Sequence, residues 1–124
     1  MNLLLDTQVV LWQLGGTREL SDDALTAISA ADGLYVSTVS FAEIGVKVAL
    51  GKLSVPDEIV DATIAAGVRL LPLDAEHGPA VGALPLLHRD PFDRLLIAQA
   101  TAEDLAIVTA DRRIAAYPVP TVLA

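Results

Sequence analysis

Four acidic residues are placed where a fold of alternating strands and helices would bring them together. Asp6 and Asp111 each come just after a short apolar run, and Glu43 and Asp93 each lie near the beginning of a predicted helix. Clustered carboxylates repel one another unless a cation neutralises them, and Mg²⁺ and Mn²⁺ prefer oxygen ligands. The pattern therefore indicates a site for one or two divalent ions, which could activate water and stabilise the leaving oxygen of a phosphodiester.

Each of these acids also has a purely structural explanation as part of a helix cap. Asp6 could cap a helix that starts near residue 7, and Asp111 could cap a short helix at 112–115. Glu43 stands three residues after Ser40, which is the spacing of a capping box. Taken singly, the structural and the metal-binding explanations are about equally strong. Their shared position at one edge of a sheet favours the functional one.

The segment from Asp90 to Asp93 contains a further carboxylate beside the one already named. Asp90 is predicted to be an N-cap, because Pro91 suits the first position of a helix. Asp93 then falls in the first turn, where the helix dipole favours an acid whether or not it binds a metal.

The elements that must position these acids follow from short apolar runs and from capping residues. Runs rich in Val, Leu and Ile predict buried strands at 3–5, 34–36, 68–71, 106–108 and 121–123. The predicted helices begin at Ser21, Ser40, Pro56 and Asp90, and the first three of them end by Gly33, Gly51 and Gly67. Because the runs do not alternate with polar residues, both faces of the sheet should be covered by helices. The fold class is thus α/β with a mostly parallel sheet of about five strands, in which ligands bind beyond the carboxyl ends of the strands.

The composition fits a single domain over residues 1–124 with a sizeable core. Hydrophobic types make up 53% of the chain, and the longest uncharged stretch has 12 residues, short of the roughly 18 that a membrane span needs. The first six residues lack the basic region of a signal peptide, so we expect a cytoplasmic protein with no membrane partner. The absence of cysteine excludes disulfides and cysteine-ligated zinc.

The net charge of −8, from 16 acidic and 8 basic residues, argues at first against a nucleic-acid ligand. That argument weakens if four of the acids share one pocket, because two divalent ions would bring the total to about −4. Six of the eight basic residues also lie within nine positions of one of those acids. We therefore expect an acidic outer surface and a site edge that is locally basic around a metal-filled centre.

The histidines and the tryptophan carry no clear signal of function. The spacing of His77 and His88 matches no zinc motif, so we expect both to be loop or surface residues. Trp12 lies in an apolar run and is expected to pack in the core or in an interface.

Four segments, in order, resemble the PIN-domain ribonucleases and in particular the VapC-type toxins of bacterial toxin–antitoxin pairs. They are LLLDT at 3–7, SFAEI at 40–44 followed by Lys47 and GKL at 51–53, HRDPFDRLLIAQA at 88–100, and IVTAD at 107–111. The resemblance covers essentially the whole chain, and the DPFDRLLIAQA part is the most specific.

The resemblance implies a three-layer α/β/α fold and an acidic pocket that holds one or two Mg²⁺ or Mn²⁺ ions for endonucleolytic cleavage of RNA. By position, the catalytic and metal-binding acids would be Asp6, Glu43, Asp93 and Asp111. Asp93 is chosen over Asp90 because the family's acid stands four residues before an Ile-Ala pair. The resemblance also implies a homodimer and a small antitoxin that blocks the pocket, with a hetero-oligomer of toxin and antitoxin as the alternative assembly.

Other polar residues near these acids are assigned supporting roles. Asp90, Thr7 and Thr109 are expected to orient the carboxylates or bound water. RNA phosphates near the scissile bond are expected to contact Lys47, Arg94, Arg112 and Arg113.

Three alternatives compete with this hypothesis. A phosphatase of the haloacid-dehalogenase kind needs a second Asp two residues after Asp6, where Gln8 stands. A receiver-type phosphoacceptor needs a Lys after a late strand, and residues 109–111 offer none. A non-catalytic dimeric interaction module with a PIN-like fold is the third, and it predicts that no cation binds.

Overall fold

A computed structural model describes residues 1–16 and 18–124, and these residues form one sheet with helices on both of its faces. The strands are β1 (Asn2–Leu5), β2 (Gly33–Ser37), β3 (Arg69–Leu71), β4 (Ala106–Thr109) and β5 (Thr121–Leu123). The α-helices are α1 (Thr7–Gly15), α2 (Asp22–Ala30), α3 (Thr38–Ala49), α4 (Ile59–Ala65), α5 (His77–Ala80), α6 (Pro91–Glu103) and α7 (Arg112–Ala115), with a 3₁₀ turn at Val81–Ala83. Across these described residues, every helix is too short or too polar to span a bilayer.

The five strands lie in the order β3-β2-β1-β4-β5, and every neighbouring pair is parallel. This confirms the predicted α/β class and its parallel sheet. The chain adds β2 and β3 on one side of β1 and then returns to add β4 and β5 on the other. In sheets of this kind the crevice for ligands opens where the strand order reverses, which here is between the carboxyl ends of β1 and β4.

The hydrophobic core is divided between the two faces of the sheet, which explains why the strands lack alternation. Within β1, Leu3 and Leu5 pack in a cluster with Val9 of α1, while Leu4 packs in a second cluster with Leu96 of α6. The three leucines of β1 are fully buried. Successive side chains of a strand point to opposite faces, so both faces of this strand are covered and the architecture has three layers.

Two predicted helix starts differ from those in the structure. Helix α3 begins at Thr38, because Ser37 Oγ accepts a hydrogen bond from Val39 N at 3.0 Å and makes Ser37 the N-cap. The predicted capping box of Ser40 and Glu43 is therefore wrong. Helix α4 begins at Ile59, three residues beyond the predicted start at Pro56.

Three other caps agree with the predictions. Ser21 caps α2, and Asp111 caps α7 by accepting from Arg113 N at 2.9 Å. Asp90 caps α6, because its Oδ1 accepts from Phe92 N at 2.9 Å and from Asp93 N at 3.2 Å. This cap fixes the first turn of α6 at the mouth of the crevice.

Candidate functional site

A cavity of about 640 Å³ at the carboxyl ends of β1 and β4 brings the four predicted acids together. Asp6, Glu43, Asp93 and Asp111 all line it, and Asp90 is a fifth acid on its wall. The basic residues on its lining are Lys47, Arg112 and Arg113. The expected convergence at one sheet edge is therefore present, and the catalytic and metal-binding roles of these residues stay predictions.

Asp6 both caps a helix and faces the cavity, so the two explanations of this residue are compatible. Its Oδ1 accepts from Val9 N at 2.9 Å, and its Oδ2 accepts from the hydroxyl of Thr109. Burial raises the pKa of Asp6 above its ordinary value, and the charge of Glu43 acts in the same direction, while hydrogen bonds from Thr109, Val9 and Gln8 oppose the rise. Thr109 thus holds the carboxylate of Asp6 in place, and its supporting role at a metal site stays a prediction.

Glu43 is buried on α3 and is held by two neighbours. Thr7 Oγ1 donates to Glu43 Oε1 at 2.8 Å and lies 2.9 Å from Ser40 Oγ. Lys47 Nζ, one turn further along α3, donates to Glu43 Oε2 at 2.7 Å, and this bond raises the pKa of Lys47. Lys47 therefore offsets one of the pocket's negative charges besides lying where a phosphate could reach it.

His88 is a site residue that sequence reasoning missed. Its side chain is only 6% exposed, and its Nε2 lies 2.7 Å from Asp93 Oδ2 and 3.8 Å from Asp111 Oδ2. His88 lies in a loop, as predicted, but it is not a surface residue, because the loop before α6 places the ring inside the protein. His88 lies two residues before the most specific part of the resemblance, but a lone histidine offers no spacing pattern that would reveal its role.

Asp93 has the most strongly perturbed acidity in the cavity. Burial raises the pKa of Asp93 to about 6, with the charges of Asp90 and Glu43 adding to the rise and the bond to His88 opposing it. A carboxyl group with a pKa in this range can exchange protons near neutral pH.

Asp111 forms an ion pair with Arg113, which changes its pKa in the opposite direction to the change at Asp93. The guanidinium donates from Nε to Oδ1 at 3.1 Å and from one terminal nitrogen to Oδ2 at 3.0 Å, which lowers the pKa of Asp111. The Arg113 side chain is 67% exposed. An ion pair this exposed is weak, so Arg113 can release Asp111 at little cost in energy.

The prediction that Arg94 contacts RNA phosphates is wrong. Its side chain is 8% exposed and donates to the carbonyl oxygens of Val81 at 2.8 Å and Pro85 at 3.0 Å, and to Tyr117 Oη at 3.1 Å. Arg94 follows Asp93 directly, and one residue of helix turns a side chain by about 100°. The guanidinium consequently points away from the cavity and anchors the loop that carries His88.

His77 is also buried, against the prediction, but lies outside the cavity. Its Nδ1 accepts from Asp74 N at 2.9 Å, and its Nε2 lies 3.1 Å from Glu103 Oε1. Both ring nitrogens are therefore engaged, and the residue ties α5 to α6. Although Asp74, His77 and Glu103 lie close enough to surround an ion, the hydrogen bonds account for this group.

The donor set of the cavity fits a hard divalent cation. The carboxylates supply oxygen ligands of the kind that Mg²⁺ and Mn²⁺ take. The charge of a neighbouring acid helps to raise the pKa of both Asp6 and Asp93, which is the crowding that a cation would relieve. His88, Asp90 and Asp93 also offer ligand atoms within 4.8 Å of one another, and a histidine nitrogen is compatible with Mn²⁺ as well as with softer metals.

Comparison with known proteins agrees with the fold described above. The sequence pattern of the PIN domain matches residues 3–120. VapBC2 from Rickettsia felis, solved with a promoter DNA fragment, has a TM-score of 0.73 at 15% identity and covers 99% of this chain and 98% of its own. DNA-bound VapBC from Salmonella typhimurium has a TM-score of 0.68 at 14% identity, covering 98% and 97%. FitAcB from Neisseria gonorrhoeae has a TM-score of 0.64 at 19% identity, covering 96% and 95%. Among curated proteins, none matches the chain in sequence, and the structural matches at these identities establish the fold.

Proposed function

The chain belongs to the PIN domain family, and on that basis we propose that it is a metal-dependent endoribonuclease and the VapC-type toxin of a toxin–antitoxin pair. PIN domains are generally nucleases. The observation that carries the proposal for this chain is the convergence of Asp6, Glu43, Asp93 and Asp111 on one cavity at the reversal of strand order. The whole chain, residues 1–124, would form the single catalytic domain.

In this proposal the four acids hold one or two Mg²⁺ or Mn²⁺ ions. Asp6 and Asp111 are the main ligands, because Asp6 directly follows β1, Asp111 comes two residues after β4, and each is held by a cap hydrogen bond. Asp93 and Glu43 complete the site directly or through water. When bound, the ion supplies Lewis-acid activation of water and neutralises charge on the phosphodiester.

Side chains of the protein have the remaining roles in the proposed reaction. Asp93 and Glu43 help to deprotonate the attacking water by accepting its proton at a carboxylate oxygen. Thr7 and Thr109 hold Glu43 and Asp6 in orientation through their hydroxyl groups. Asp90 acts through its charge on Asp93 and through the cap of α6.

Positive residues on the cavity wall are proposed to bind the RNA backbone. Arg112 and Arg113 are exposed, and Lys47 extends from Glu43 into the same cavity. Phosphate contacts of this kind fix the register of the substrate and carry no sequence information. Which RNA is cut would then depend on the shape of the groove and on unpaired segments of the substrate.

A small antitoxin is the proposed protein partner. A similar structure from Klebsiella pneumoniae, with a TM-score of 0.64 at 17% identity, is a toxin–antitoxin complex, and a cavity with more acids than bases suits a basic segment of such a partner. We also propose a homodimer and a hetero-oligomer with the antitoxin. Because the proposed substrate is cellular RNA, we propose that the protein acts in the cytoplasm.

The test compares Mn²⁺-dependent cleavage of a structured RNA by the wild type and by Asp6→Asn and Asp93→Asn. Loss of a ligand or general base should lower the rate by roughly 100-fold or more. Asp61→Asn, an exposed acid on α4 outside the cavity, is the control and should cleave normally. Full activity of both cavity variants would refute the assignment, and failure of Mn²⁺ to bind would favour the non-catalytic interaction module.

A further inference from the structure

The indole of Trp12 lies at the junction of two cavities. Trp12 and Gln8, both on α1, line the acidic cavity and also an adjoining cavity of about 320 Å³. The second cavity is mainly apolar, with Leu11, Leu53 and Pro56 among its lining residues. A groove thus continues from the acids along α1 onto an apolar wall, with the half-buried indole between the two parts.

A positive charge accompanies the indole. The guanidinium carbon of Arg18 lies 4.2 Å from the centroid of the Trp12 ring, within the range of a cation–π contact. Arg18 is not among the lining residues of the two cavities, so its contact holds the ring in place and does not add charge to the acidic cavity.

Charge alone does not explain how the cavity would retain RNA. Its wall carries five acids against three basic residues, and bound ions would offset that excess without adding contacts to bases. An aromatic face gives binding that does not depend on charge, since each stacked base raises affinity by roughly 5- to 100-fold. Only an unpaired base can expose its face for such stacking.

We propose that Trp12 is a stacking site for an unpaired nucleobase beside the cleaved phosphate, with Arg18 supporting the ring. The inference rests on the proposed ribonuclease function and adds to it a residue that contacts the base next to the cleaved phosphate. The apolar wall beyond the indole contacts the part of the stacked base that extends past the ring, or the next base along the strand.

The test uses the emission of Trp12, which is the chain's one tryptophan. Full-length Asp93→Asn protein, in which cleavage is blocked, is titrated in Mg²⁺ with a single-stranded RNA oligonucleotide, with an abasic strand carrying the same phosphates, and with a duplex of the same length. We expect quenching by the single strand and little change with the other two. Equal quenching by the abasic strand, or none by the single strand, would overturn the proposal.

Variants of Trp12 then separate stacking from folding. Labelled single-stranded RNA should bind about tenfold more weakly to Trp12→Leu and within about threefold of normal to Trp12→Phe, which keeps an aromatic face. Gln13→Ala, an exposed neighbour on α1, should bind normally, and thermal unfolding checks that each variant is folded. Unchanged affinity of folded Trp12→Leu contradicts stacking. If the wild type cut no RNA, the ribonuclease function would be refuted. The binding results would still show whether Trp12 stacks on an unpaired base.

Discussion

The imidazole Nε2 of His88 lies 2.7 Å from Asp93 Oδ2 and 3.8 Å from Asp111 Oδ2. One buried ring therefore connects the acid in the first turn of α6 with the acid that follows β4. Partners of this kind orient metal-binding carboxylates, and their loss typically lowers metal affinity by about 10- to 100-fold.

His88→Leu should accordingly bind Mn²⁺ at least about tenfold more weakly than the wild type. His88→Gln keeps a hydrogen-bond donor and should lose less. His77→Gln is the matched control, because that buried histidine contacts Glu103 outside the cavity and should change stability but not Mn²⁺ affinity. Isothermal titration calorimetry measures all three, and normal Mn²⁺ binding by His88→Leu would rule out this role.

Because the pKa of Asp93 is raised, we expect the stability of the protein to depend on pH in the acidic range. Its pKa is about 6 in the folded protein against an ordinary 3.8, so between these values the native state binds more protons than the unfolded state. The contribution of Asp93 to the free energy of unfolding therefore falls as pH rises from about 4 to 6, and it is level above that. Urea unfolding of the metal-free wild type and of Asp93→Asn across this interval tests this expectation. The difference in the free energy of unfolding, wild type minus variant, should fall as pH rises.

Metal binding should have the opposite dependence on pH. The ionised form of Asp93 is the ligand, so Mn²⁺ affinity should decline as pH falls below about 6. Thermal shift with Mn²⁺ at pH 5 and pH 7.5 tests this, with a larger stabilisation expected at the higher pH. An equal shift at both values would show that Asp93 is not a ligand.

Arg94 should be important for folding rather than for RNA binding. Arg94→Ala removes a buried guanidinium and its charge-assisted hydrogen bonds to the carbonyl oxygens of Val81 and Pro85, which should lower the free energy of unfolding by about 3 kcal/mol or more. Arg89→Ala, an exposed neighbour in sequence, should change it by less than about 0.5 kcal/mol. Equilibrium unfolding in urea compares the two, and a similar small effect of both would contradict the buried network.

Arg113 should affect metal and RNA binding in opposite directions. In Arg113→Ala, Asp111 is freed from its ion pair and should bind Mn²⁺ a few-fold more tightly, whereas RNA loses a phosphate contact and binds more weakly. Arg112→Ala, which is also exposed, should weaken RNA binding without changing Mn²⁺ affinity. Calorimetry for the ion and anisotropy for RNA separate the two effects, and weaker Mn²⁺ binding by Arg113→Ala would reverse the interpretation.

The fold was largely predictable because its signals are local. Each of the five strands contains an apolar run, and N-caps such as Ser21 and Asp90 agree with the structure. The start of α3 was not predictable, since Ser37 and Ser40 are both good caps and only the end of β2 decides between them. The short helix α5 was missed, because His77 holds it through a contact to Glu103, 26 residues away.

The sequence by itself determined where the acids would stand, because a carboxylate after a strand or in the first turn of a helix follows from propensity and capping. Only the tertiary structure decided that His88 faces Asp93, that Arg94 points inward to Tyr117, and that the cavity includes Trp12. These placements depend on how loops close over the sheet and on partners such as Tyr117, 23 residues beyond Arg94. A periodic pattern records which face of an element is buried, but it does not record which residue of another element meets that face.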